Sequence, residues 1–239
     1  MESQDAAATF FFKLWPQLEA NKNKIIGTVI IVAVVVVGYS FYSWEHNQNQ
    51  IEAGDALTQT LISTPQTADP ATIASSYLDV STQYAGTPAG ERALIQGAAA
   101  LFVAGKYADA QTDFQQYLNS HPDGEFAGQA ALGVAKSQEA LEKYDVAAGS
   151  YQHIIDSSAD AQAVIESKFS LARLDMRNKN YTEALRLLQD VMQADPYGAL
   201  GNEAGQLAFE LKSKVPAAPP VVPPGASPMN SSMPFNLNH

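Results

Sequence analysis

Tyr107, Tyr144 and Tyr181 stand 37 residues apart, each followed three residues later by an alanine (Ala110, Ala147, Ala184) and preceded nine residues earlier by another (Ala98, Ala135, Ala172). A fixed period of this length restricts the fold to a stack of one small supersecondary unit, because such a unit cannot bury its apolar face alone. The same register carries Phe114, Tyr151 and Leu188, then Tyr117, Ile154 and Val191, and it places Pro122 and Pro196 at equivalent ends. Each unit reads as two antiparallel helices. The alanines supply small side chains where the two backbones come closest, and the tyrosine ring fills the wedge after the turn. The segments AGKY, LEKY and NKNY put Gly, Lys or Asn where the first helix must stop. Proline ends the second helix in two units, since it has no N–H to donate to a helix interior.

These positions resemble the tetratricopeptide repeat (TPR) family, over residues 91–122, 128–159 and 165–196. The resemblance implies a small residue in the first helix, Tyr then Ala opening the second, an aromatic four residues on and a terminal proline. The chain departs from that pattern at Leu188 and Ala159, and at Leu94, Ala131 and Lys168, where a large residue is expected near the start of each first helix. One period back from Phe114 and Tyr117 lie Tyr77 and Val80, so residues 70–84 read as the second helix of a degenerate first unit, with 50–63 as its first. The expected organisation is a repeat domain over 45–214, with units at about 50–85, 86–122, 123–159 and 160–197 and a capping helix at 202–214. From Val215 the composition turns to proline, seven residues of the last 25, and 215–239 reads as a disordered or polyproline tail.

Residues 25–44, IIGTVIIVAVVVVGYSFYSW, contain no charge and include eleven Ile, Val or Phe. At about 1.5 Å per residue, twenty residues reach about 30 Å, the thickness of a bilayer core, and the sequence reading is a transmembrane helix acting as an uncleaved signal-anchor. Lys13, Lys22 and Lys24 precede the run, whereas Glu45, Glu52 and Asp55 follow it. The positive-inside rule then places residues 1–24 in the cytoplasm and the repeat domain in the periplasm of a bacterial inner membrane. The fold class expected is therefore all-α, an N-terminal transmembrane helix followed by an α-solenoid of TPR-like helical hairpins.

Function classes are narrowed by what the chain lacks. A net charge of -11 excludes the basic face that a nucleic-acid binder needs. With no cysteine there are no thiolate metal sites or thiol nucleophiles. His46, His121, His153 and His239 are scattered without metal-ligand spacing, and no phosphate-binding glycine loop or nucleophile elbow is present. The chain is accordingly expected to be no enzyme, with no cofactor, no metal and no small-molecule substrate. Repeats of this kind act by presenting a surface lined by their first helices. Carried over from the TPR family, the groove-facing residues are Arg92, Ile95, Phe102, Gln129, Leu132, Lys136, Glu139, Phe169, Arg173 and Arg177. Lys136, Arg173 and Arg177 would together meet a partner carboxylate.

A short N-terminus, one span and a run of such hairpins also resemble the YfgM-type family of ancillary SecYEG translocon subunits. That resemblance implies translocon subunits, periplasmic chaperones or nascent chains as protein partners. The alternative is a scaffold or assembly subunit of another cell-envelope complex.

Overall fold

The computed structural model describes residues 22–63, 65 and 67–214. The N-terminal 21 residues and the Pro-rich segment 215–239 lie outside the described residues. Among those described, all regular structure is helical: α1 (Lys22–Ser63), α2 (Pro70–Gln83), α3 (Pro88–Val103), α4 (Tyr107–Ser120), α5 (Ala127–Ala140), α6 (Tyr144–Ser157), α7 (Ala161–Arg177), α8 (Tyr181–Ala194) and α9 (Ala199–Lys212). The chain divides into two compact units, the first ending at Lys143 and the second beginning at Tyr144.

Local chemistry sets the helix ends. Pro70 and Pro88 occupy first-turn positions, where the missing N–H costs nothing, and Thr87 caps α3 by accepting from the Gly90 N–H at 3.0 Å. Asp160 caps α7 by accepting from the N–H groups of Gln162 and Ala163. The turns between paired helices share one geometry. Gly105, Glu142 and Lys179 all take positive φ, at 76°, 60° and 64°, and they are again 37 residues apart. At each, the next residue's N–H bonds back to a carbonyl five residues earlier (Lys106 to Leu101, Lys143 to Gln138, Asn180 to Asp175). This left-handed C-terminal motif satisfies carbonyls the helix end leaves open.

In the first unit, α2 packs on α3, α3 on α4 and α4 on α5, with the C-terminal part of α1 lying against α2 and α3. One cluster joins Leu57, Tyr77, Val80 and Ala93; a second joins Ala74, Ile95, Ala98, Leu101, Phe114 and Tyr117 with neighbours on α5. In the second unit, α6 packs on α7, α7 on α8 and α8 on α9. The periodic alanines Ala98, Ala135, Ala172, Ala110, Ala147 and Ala184 are all fully buried, consistent with close helix approach at those positions. Lys168, unusual at its place near the start of a first helix, sends its ammonium 3.1 Å to Asp190 on α8 and so ties α7 to its partner.

The N-terminal reading needs correction. Among the described residues no helix is long and apolar enough to cross a membrane. The side chains of Ile25, Ile26 and Val29, within the expected span, lie outside the described residues. The transmembrane element of the expected fold class is therefore withdrawn, and the all-α arrangement of consecutively packed TPR-like helices stands. Nor is there a separate helix at 50–63, because α1 runs without a break from Lys22 to Ser63 and buries Ala53 and Leu57 near its end. Its large side chains from Ile30 to Trp44 are exposed, with Phe41 and Trp44 in ring contact at 6.2 Å.

Candidate protein-binding surface

The first helices α3, α5 and α7 repeat the same columns of side chains. Arg92 and Gln129 occupy one column and are exposed on α3 and α5. Ile95, Leu132 and Phe169 occupy the next and are 1%, 7% and 6% exposed, so their apolar bodies are buried and closed to a partner. A third column holds Ala99, Lys136 and Arg173, of which Lys136 is half-buried and Arg173 exposed. Phe102 and Glu139 share the fourth, both half-buried, and the Phe102 ring lies 5.1 Å from that of Tyr107 across the α3–α4 turn. In the second unit Arg177 is exposed, yet its guanidinium lies 3.3 Å above the Tyr144 ring, a cation–π contact fixing the end of α7 to the start of α6. Of the basic trio, Lys136 belongs to the first unit and Arg173 and Arg177 to the second.

Two hollows in the first unit escape the column pattern. One, of about 580 Å³, runs along the outer face of α4, lined by Gln111, Thr112, Gln115, Gln116 and Asn119 and closed by Leu141 and Lys143. Its walls offer amide and hydroxyl groups at helical spacing, suited to hydrogen bonding and not to acid–base chemistry. A signal for it was present in the sequence, as the uncharged polar stripe of α4. The other, of about 260 Å³, lies where the α2–α3 turn meets the end of α4, with Glu91 and His121 paired at 3.1 Å. The Tyr117 hydroxyl beside it accepts from the Phe126 N–H at 3.1 Å. No sequence motif marks that pair, since its partners are brought together only by packing.

Electrostatics on the second helices is ordinary for solvated faces. Burial, with Asp109 one turn away, pushes the Asp113 carboxyl above the usual carboxylate range. Hydrogen bonding from Arg186 holds Glu183 below it, and Arg186 also reaches Asp190 at 3.1 Å. Among the described residues no group of three or more His, Asp or Glu side chains could hold a metal ion.

Comparison with known proteins bears on the repeats. Residues 15–126 match a family model described as a tetratricopeptide repeat-like domain, a little under half of the chain. No curated protein matches the chain. The fold is of a class that is generally non-catalytic, and the chain is read as a non-enzyme on that ground. The YfgM-type assignment is corrected to the coarser one, a TPR-like helical repeat domain. Its signal-anchor, inner-membrane placement, periplasmic topology and translocon partnership all rested on a span over 25–44, and no membrane-crossing helix is found among the described residues.

Proposed function

We propose that this chain is a protein–protein interaction scaffold whose partners are recognised by exposed members of the first-helix columns. The observation that supports this reading is the repetition itself: three first helices are held by buried alanines against their neighbours and offer equivalent outward positions of different chemistry. Arg92, Phe102, Gln129, Lys136 and Glu139 would serve on the first unit, and Arg173 and Arg177 on the second. Arginine at such positions suits a partner carboxylate, which its planar fork binds through two hydrogen bonds. Ile95, Leu132 and Phe169 act beneath these residues, holding the helices that carry them.

A photoreactive residue placed at Arg92, Gln129 or Arg173, with Thr112 and Gln152 on second helices as comparison, tests this in cells. Protein adducts concentrated at the three first-helix positions are expected. Adducts concentrated at Thr112 or Gln152, or absent from all five, would overturn the assignment.

A further inference from the structure

The hollow of about 260 Å³ beside Glu91 and His121 is built to accept hydrogen bonds. Three hydroxyls line it, and each already donates to its own helix. Ser81 and Thr82 donate to the Leu78 carbonyl, both at 2.8 Å, and Ser120 donates to the Gln116 carbonyl at 3.2 Å. A hydroxyl that has placed its proton keeps its lone pairs, so these three offer a ligand acceptors only. The Glu91 carboxylate, in the same wall, is likewise an acceptor. Gln116 and the Tyr117 hydroxyl are the members of the wall that can also donate, and Tyr117 already accepts from the Phe126 N–H.

Charge points the same way. The Glu91 side chain is 24% exposed, and among the described residues its ion-pair partner is His121 alone. An imidazole in its neutral form donates one hydrogen bond to that carboxylate and leaves its charge in place. Two helix C-termini also close on this spot: the end of α2 brings Ser81 and Thr82, and the end of α4 brings Tyr117 and Ser120. Neither helix has a basic residue in its last turn, so the negative ends of both macrodipoles lack a cation. The N-terminus of α3 reaches the hollow as well, but Thr87 already accepts from its Gly90 N–H. One carboxylate and two negative helix ends therefore face one capped positive end.

We propose that this hollow binds an arginine side chain of a protein partner, its guanidinium donating to Glu91 and to the hydroxyl oxygens of Ser81, Thr82 and Ser120. A guanidinium carries five donors in a planar fork, which suits acceptors spread around a wall, whereas an ammonium gathers three on one nitrogen. The hollow is smaller than the roughly 300 to 1,000 Å³ of sites for whole small molecules, and it fits one side-chain head. The site lies off the first-helix columns and is a second, independent point of contact.

The probe is Nα-acetyl-arginine amide, titrated at neutral pH into the full-length chain labelled with nitrogen-15. The backbone amide signals of Ser81, Thr82, Glu91 and Ser120 are expected to shift together and to saturate. Nα-acetyl-citrulline amide, of the same shape without the charge, should bind at least about fivefold more weakly, and Glu91→Gln should weaken arginine binding by a similar factor. Ser120→Lys, at an exposed position, is expected to fill the hollow with its own ammonium and abolish the response while amide signals elsewhere stay in place, which separates lost binding from lost fold. No saturable shift, an equal response to citrulline, or shifts scattered over the acidic helix faces, the mark of adventitious ion pairing only, would each overturn the proposal. None of these results depends on where the crosslinks at Arg92, Gln129 and Arg173 fall.

Discussion

Gly105, Glu142 and Lys179 perform one task with three side chains, and only the first is suited to it. A left-handed backbone crowds the Cβ of an ordinary residue, at a cost of about 1 kcal/mol or more, which glycine escapes. Glu142→Gly and Lys179→Gly should each raise unfolding free energy by about 0.5 to 1 kcal/mol in urea titrations, and Gly105→Ala should lower it by about 1. The position was not legible in LEKY or NKNY, because neither Glu nor Lys announces a left-handed turn. By contrast the buried alanines and the tyrosines opening α4, α6 and α8 were legible, since close packing admits few residue types and the same types recur. Asp113 gives a prediction with a sign. Its folded-state pKa is raised, first by burial and then by Asp109, so its charged form opposes folding at neutral pH and the opposition fades as pH falls through the carboxylate range. Asp113→Asn should therefore melt higher than the parent at neutral pH, and a thermal series should show the difference shrinking in acid.

At the level of elements, α1 is two things in one helix. Near its end Ala53 and Leu57 belong to the core, whereas from Ile30 to Trp44 the large apolar side chains described are exposed. Leu57→Ala should cost about 2 kcal/mol, the lower end for a buried leucine, because it opens a void beside Tyr77 and Val80. Val35→Asp removes no packing contact of the folded units and should leave their unfolding free energy within about 0.5 kcal/mol. Equal losses from the two would show that the exposed part of α1 is coupled to the core. The sequence reading, a span over 25–44 and a separate helix over 50–63, inserts a break that the helix does not have. Nothing between Trp44 and Ile51 is glycine or proline, so no residue there interrupts the backbone ladder. Lys168 is the converse case. It looks out of place until its partner Asp190, 22 residues on, is brought opposite by the hairpin.

For the whole molecule, repetition governs both stability and the candidate binding surface. A stack of units holds together through contacts between neighbours in sequence, so damage should spread from its origin and weaken with distance along the chain. Ala172→Leu tests this, because Ala172 is fully buried at the close approach of α7 and α8, and a larger side chain must force them apart at about 1 to 3 kcal/mol. Amide exchange should then accelerate most in α7 and α8, while α2 and α3 keep their protection within about twofold. Uniform acceleration throughout the chain would instead mean that it unfolds as one cooperative body, and the repeat could not be treated as the unit of stability. The same neighbour logic explains why the binding surface was harder to read than the fold. The period identifies which columns recur, but whether a column faces out depends on what its own repeat needs for packing. Ile95, Leu132 and Phe169 lie in one such column and are buried, whereas Arg92, Gln129 and Arg173 remain exposed. Recognition can therefore vary from unit to unit at the exposed columns while the alanines that space the helices stay fixed.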